Sequence, residues 1–146
     1  MRERHPLFFD GLIWPAVILG DAVLLLNTPA ISFLALQRFG AAHYHLALLG
    51  AASALAYTVL CPVMARLGMG GRQRALAYLG MAIYATWGLT LAWADSIWQL
   101  LLCQVYCGVG GAMLWPNVEA LLARGREGPL LRKRLSIFNA MWCSGT

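Results

Sequence analysis

The chain has 146 residues, of which 60% are hydrophobic and 12% charged, with a formal net charge of +5 and a mean hydropathy of +0.65. Soluble domains carry about 25% charged residues and bury only about 70% of their unfolded surface at this length, so the composition excludes a soluble domain. It also argues against a nucleic-acid partner, because the basic residues stand in short clusters between apolar blocks and form no single basic face.

Four apolar blocks are each long enough to cross a bilayer, which takes about 20 residues. In chain order they span about 12–36, 46–65, 75–94 and 97–123, and an incomplete fifth begins near 135. None alternates with a period of two, so helices are predicted and barrel strands are not. Short connections join the blocks. The sequence therefore predicts an all-α membrane protein, an antiparallel transmembrane helix bundle that forms a single domain over 1–146.

The first span contains a carboxylate, Asp21, about nine residues and roughly 14 Å from its start. An aspartate at the centre of a spanning helix costs about 2.5–3.5 kcal/mol on insertion scales. Asp21 is therefore a candidate proton carrier, cation ligand or substrate counter-charge. The alternative is a protonated carboxyl group that hydrogen-bonds to a neighbouring helix.

Further along the same span, Asn27 and Thr28 precede Pro29. Proline donates no backbone hydrogen bond, so it frees a carbonyl near Leu25 and permits a kink. Asn27 is a candidate for the lining of a solute pathway. A plain kink in which Thr28 satisfies the freed carbonyl is the alternative.

The fourth span has the densest group of polar and small residues. We expect its small residues to let another helix approach closely, as they do in membranes. The small and helix-bending positions are Gly108, Gly110, Gly111 and Pro116. The polar candidates for the solute pathway are Gln104, Asn117 and Glu119. Glu119 is near the end of the span, where contact with water or pairing with Arg124 is the alternative.

The sequence contains no constellation that predicts catalysis, a metal site or a cofactor. No nucleophile elbow or phosphate-binding loop is present, and no histidine or third thiol joins Cys103 and Cys107. Tyr57 and Tyr84 are interpreted as packing or interfacial aromatics. We therefore predict that the protein is not an enzyme.

The distribution of Lys and Arg predicts the orientation of the spans. Ten of these 11 residues precede the first span or follow the second and fourth spans, and only Arg38 lies on the opposite side. Because cytoplasmic loops are enriched in these residues, the N-terminus is predicted to be cytoplasmic.

The sequence between the second and third spans, PVMARLGMGGRQR, resembles the basic, glycine-containing loop of the major facilitator superfamily. Gly71, Arg72 and Arg74 match the end of that loop. Gly108, Gly110 and Ala112 match the family's fourth-helix pattern, in which Gln104 replaces an arginine. The strings LWPNVEALLAR and LSIFNAMWCSG are similar to bacterial members in the fourth and fifth helices.

This resemblance covers nearly all of the chain and implies secondary transport of a small solute by alternating access in a bacterial inner membrane. A proton or cation would be the coupling ion. Family members have two halves of six helices, so the chain is expected to be an N-terminal part that needs further C-terminal helices. The alternative is a self-contained four-helix protein that associates with itself, either an exporter of the small multidrug type or a structural subunit.

The predicted orientation can be tested with alkaline phosphatase fusions, which are active only outside the cytoplasm. We expect a fusion after Ser96 to be active and a fusion after Arg72 to be inactive, because the loops that contain these residues lie on opposite sides. The reverse pattern would contradict a cytoplasmic N-terminus.

Overall fold

The structure, a computed structural model, describes the backbone of residues 6–125 and 127–145 and the side chains of 14, 15, 17–125, 127–141 and 143. The described chain forms five helices in sequence. They are α1 (Pro6–Phe39), α2 (His43–Gly68), α3 (Gln73–Ala92), α4 (Ile97–Ala123) and α5 (Gly128–Gly145). The prediction of an all-α helix bundle is confirmed.

Four of the described helical segments are long and apolar enough to cross a membrane: Val17–Phe39, His43–Gly68, Gln73–Ala92 and Ile97–Ala123. The number of spans agrees with the prediction, whereas the helix ends differ. Helix α2 extends beyond the predicted span at both ends, and α5 begins at Gly128, well before residue 135. The difference arises because hydropathy detects only the part of a helix that lies in lipid. Pro129, in the first turn of α5, is well suited to start a helix because its fixed φ is helical and its missing N–H is not needed there.

Helix α4 lies at the centre of the bundle and packs most extensively on α2 and α3. Its close approach to α3 depends on Gly80, where an added Cβ would lie 2.7 Å from the backbone nitrogen of Leu114. Its approach to α2 depends on Gly108, where an added Cβ would meet the Ser53 carbonyl oxygen and lie 2.8 Å from the Ala56 Cβ. Backbone therefore packs against backbone on two sides of α4, as small residues allow in membranes.

Buried apolar side chains form two clusters at opposite ends of the bundle. The cluster nearer the α1–α2 and α3–α4 connections contains Ile31, Ala35, Ala41, Leu49, Tyr84, Trp87, Leu91, Ala94, Leu100 and Cys107. The other contains Val17, Ala77, Leu114, Trp115, Val118, Leu121, Leu122 and Phe138, and through Phe138 it ties α5 to α4. Tyr84 and Trp115 connect the two clusters, with ring centroids 6.3 Å apart in an edge-to-face arrangement.

The connection between α3 and α4 is held by polar contacts. The Ser96 hydroxyl accepts a hydrogen bond from the Gln99 backbone N–H, and the Gln99 side-chain oxygen accepts one from the Asp95 N–H. The Asp95 carboxylate also pairs with Arg38 at the end of α1, with an N–O distance of 3.1 Å. Both partners are well exposed, so this ion pair contributes at most about 1 kcal/mol.

The close contact of α3 with α4 predicts a difference between two glycine substitutions. Gly80→Ala is expected to destabilise the fold by about 1–3 kcal/mol, because the added methyl group would push against the α4 backbone. Gly50→Ala in α2 is the matched control, since nothing lies within 4 Å of an added Cβ there. Thermal unfolding in detergent would measure both. Equal melting temperatures for the two variants would contradict the close backbone contact at Gly80.

Candidate functional site

A cavity of about 400 Å³ opens between α1, α2, α3 and α4. This volume falls in the range of about 300–1,000 Å³ that is typical of small-molecule sites. The cavity combines apolar surface with hydroxyl groups. Its lining residues are Leu24, Gly50, Ser53, Ala54, Tyr57, Thr58, Tyr84, Gly108 and Trp115.

Three aromatic side chains, Tyr57, Tyr84 and Trp115, form part of the cavity wall next to α4. The Trp115 indole N–H donates a hydrogen bond to the Tyr84 hydroxyl oxygen at 3.4 Å. Gly111 makes room for both tyrosines, since an added Cβ there would lie 3.0 Å from the Tyr84 hydroxyl oxygen and 3.2 Å from Tyr57 Cδ2. The small residues of α4 therefore do more than permit helix packing, because they also create space for the aromatic wall of the cavity.

Asp21, in α1, is buried, with only 4% of its surface exposed. Its Oδ2 atom is buried and has no hydrogen-bond partner among the described residues. The preceding residue, Gly20, packs against Trp115, whose Cη2 would be 3.3 Å from an added Cβ. Leu24, one turn later on the same face of α1, lines the cavity. The Asp21 side chain is not among those that line the cavity, and its Oδ2 atom has unused hydrogen-bonding capacity.

Gln104 is the second polar residue buried within a span, at 9% exposure. Its Oε1 atom also has no hydrogen-bond partner in the described part of the chain. It precedes Gly108 by one turn of α4, on the face that meets α2, but its side chain does not line the cavity. A buried amide oxygen without a partner is a cost to stability of about 1–3 kcal/mol.

Asn27 follows Leu24 by three residues in α1. Its Nδ2 group donates a hydrogen bond to the Val23 carbonyl at 2.9 Å, and its oxygen is next to Gly88 of α3, 3.5 Å from an added Cβ there. The structure therefore places Asn27 at the contact between α1 and α3, away from the lining of the cavity.

Pro29 is exposed, and α1 continues through it without interruption. The Thr28 hydroxyl donates a hydrogen bond to the carbonyl of Leu24 at 2.7 Å, and not to that of Leu25. A side chain therefore supports the backbone next to the proline, although not at the carbonyl that the proline frees.

Asn117 is almost fully buried, at 1% exposure, near the other end of α4. Its Nδ2 group donates a hydrogen bond to the Met113 carbonyl at 2.8 Å, and its oxygen touches Gly68 at the end of α2. Pro116, next to it, is half-buried within the continuous helix. These contacts place Asn117 where α4 packs against the end of α2.

Glu119 is exposed and forms no ion pair with Arg124 among the described residues. None of the five polar candidates for the pathway is among the side chains that line the cavity.

The loop between α2 and α3 contains the positions that match the family's loop pattern. Gly71 has a φ of 84°, a left-handed conformation that favours glycine. Arg72 precedes the first turn of α3 without a capping hydrogen bond from its side chain. Arg74 follows within that turn. A second, more polar hollow of about 460 Å³ lies here, lined by Met69, Gly71, Gln73, Ala120, Ala123 and Arg124.

Tyr57 and Tyr84, interpreted from the sequence as packing or interfacial aromatics, pack against the apolar clusters and also line the cavity. A signal for the cavity lining was nevertheless present in α2, where the small and polar lining residues Gly50, Ser53, Ala54, Tyr57 and Thr58 recur at the spacing of one helix face. In the described ranges 6–125 and 127–145, no three His, Cys, Asp or Glu residues are grouped to hold a metal ion.

Comparison of the chain with protein-family models, with curated proteins and with solved structures found no match. The candidate site therefore has to be interpreted from its own geometry.

The two glutamines of α4 provide a test of the buried, unpartnered oxygen. Gln104→Leu is expected to raise the free energy of unfolding by about 1 kcal/mol, because leucine has a similar size and no polar atom to leave unsatisfied. Gln99→Leu should instead lower it by about 0.5–1.5 kcal/mol, because it removes the hydrogen bond to the Asp95 N–H. Thermal unfolding in one detergent would compare both. A loss of stability in Gln104→Leu would show that the Gln104 oxygen has a partner.

Proposed function

We propose that the protein acts in secondary transport of a small solute, as part of a bundle of the major facilitator type. The observation that carries this proposal is the buried carboxyl group of Asp21 within a spanning helix, whose Oδ2 atom has no hydrogen-bond partner among the described residues. A carboxyl group within a spanning helix is costly, and such groups commonly belong to ion or substrate pathways. Transporters of this type bind their substrates near the middle of the membrane, which is the depth expected of Asp21.

The composition of the bundle supports the same proposal. The cavity has the volume of a small-molecule site. The alternative of a self-contained four-helix exporter is less well supported, because α5 packs against both α1 and α4 as a fifth member of the bundle. We further propose a bacterial inner membrane as the location, with the N-terminus in the cytoplasm, on the basis of the Lys and Arg distribution.

Transport can be tested with the complete protein, including the further C-terminal helices expected of it, in proteoliposomes that carry an imposed pH gradient and a mixture of small organic cations, anions and sugars. We expect at least one solute to accumulate above the level of protein-free vesicles. Asp21→Asn should abolish this uptake or make it independent of the pH gradient, because it removes the buried carboxyl group of α1 while keeping the shape of the side chain.

Asp95→Asn is the matched control, since it removes an exposed carboxylate from the α3–α4 connection, and it should leave uptake unchanged. Unaltered, pH-dependent uptake in Asp21→Asn would contradict a role for Asp21. A protein that moves neither any solute of the mixture nor protons would contradict transport itself.

A further inference from the structure

Apart from Arg38, the described Lys and Arg residues lie at or near one end of the bundle, where the α2–α3 and α4–α5 connections are. Three exposed arginines stand there on different elements: Arg66 in the last turn of α2, Arg72 before α3 and Arg124 after α4. None of these three forms an ion pair with another described residue. Because three of the candidate spans begin or end here, the arginines lie at the depth of phospholipid headgroups.

The polar hollow of about 460 Å³ at the α2–α3 loop is part of this basic surface. Arg124 is one of its lining residues, and Arg72 stands in the chain between two others, Gly71 and Gln73. The hollow is open at Gly71, since an added Cβ there would meet nothing within 4 Å. Positive charge and unfilled space therefore occur at the same place.

The hollow has no negative charge in its lining. The described acidic residues near this end of the bundle are Glu119 and Glu127, and neither is among the lining residues. Guanidinium groups bind phosphate well, because their planar fork of N–H donors matches two phosphate oxygens. The charge of the lining therefore favours a ligand that carries a phosphate group.

Apolar side chains adjoin the polar part of the lining. Met69 lines the hollow and is 75% exposed, at the point where α2 ends. Ala120 and Ala123, from the last turns of α4, line it as well. A soluble anion makes no use of apolar surface, whereas a phospholipid carries glycerol and acyl chains beside its phosphate. The mixed lining therefore fits a phospholipid better than a free anion.

We propose that this hollow binds the headgroup of an anionic phospholipid, with the Arg124 guanidinium group on its phosphate and Met69 beside its glycerol and upper acyl chains. Basic pockets between spanning helices at a membrane surface bind anionic headgroups in this way. The lipid would also join the α2–α3 loop to the end of α4, since both contribute lining residues. The inference goes beyond the proposed function and does not depend on it, because a lipid site requires no transported solute.

The distribution of Lys and Arg that predicts the orientation of the spans does not by itself require such a site. Orientation depends on how many basic residues a short loop contains, whatever their exact positions. A lipid site depends instead on which basic residue is present and on the space beside it. Arg124, which lines the hollow, and Lys133, an exposed residue of α5 that does not, are therefore a matched pair for a test.

Binding can be measured by native mass spectrometry of the complete protein in an uncharged maltoside detergent. The probes are phosphatidylglycerol and phosphatidylcholine with identical short acyl chains, which differ in the net charge of the headgroup. We expect the first molecule of phosphatidylglycerol to bind more tightly by about fivefold to twenty-five-fold, which corresponds to one or two arginines near an anionic headgroup. An equal concentration of inorganic phosphate should not displace it, because the free anion lacks the glycerol and acyl chains.

Two substitutions test the hollow itself. Arg124→Gln should weaken the binding of phosphatidylglycerol by about fivefold and leave that of phosphatidylcholine unchanged. Lys133→Gln removes the same charge outside the hollow, so it is the matched control and should bind both lipids like the unaltered protein. Ala120→Leu keeps every charge and fills part of the hollow, so it should weaken phosphatidylglycerol binding by a few-fold. Arg124 and Lys133 are exposed, so their substitution should not disturb the fold.

Equal affinities for the two lipids would overturn the proposal. So would an equal loss in Arg124→Gln and Lys133→Gln, because the lipid would then respond only to the overall charge. Unchanged binding in Ala120→Leu would place the lipid elsewhere, and displacement by inorganic phosphate would assign the hollow to a soluble anion, so either result also overturns it. The flux assay of the proposed function is independent of these outcomes. Lipid binding without flux would count against transport alone, whereas flux without a lipid preference would count against this site alone.

Discussion

The close contact of α2 and α3 with the glycine-rich middle of α4 is the constraint on which the rest of the structure depends. Lipid tails are as apolar as leucine side chains, so helices in a membrane gain little from hydrophobic burial and associate mainly through van der Waals packing. Gly80 brings the α3 backbone onto α4, and Gly108 does the same for α2. With both neighbours fixed at this short distance, the larger side chains of all three helices have only a few positions in which they fit.

The cavity follows from the same packing. Where α4 presents Gly108 and Gly111 in place of larger residues, the tyrosine rings of α2 and α3 can turn toward α4 and meet Trp115. Tyr84 and Trp115 then link the two apolar clusters of the bundle. The aromatic wall is therefore part of the packing of the bundle and also the surface that a ligand would contact. Residues with both roles make a site rigid, because a change of rotamer would also disturb the helix packing.

Asp21, unlike the small residues of α4, lowers the stability of the helix in the membrane. Each surrounding Leu, Val or Ile of the span contributes only about 0.3–0.6 kcal/mol to insertion, so several of them are needed to offset one central aspartate. Among the described residues, its buried Oδ2 atom has no hydrogen-bond partner that would reduce this cost. By contrast, the polar groups of Asn27, Thr28 and Asn117 donate to carbonyls of their own helices. Asp21 therefore differs from these polar residues, whose side chains satisfy hydrogen bonds within their own helices.

The sequence by itself determined the four spanning helices, the carboxylate within the first of them and the small residues of the fourth. These features are local, because a backbone in lipid must satisfy its hydrogen bonds within each helix and about 20 apolar residues suffice to predict one. Only the tertiary structure decided which side chains share a cavity. It brought Tyr57 and Tyr84 to Trp115, placed Asn27 against α3, and put Asn117 at the end of α2. The physical reason is that the rotation of each helix about its axis is set by contacts with residues distant in the chain, and in a membrane the apolar outer surface does not identify the face that points inward.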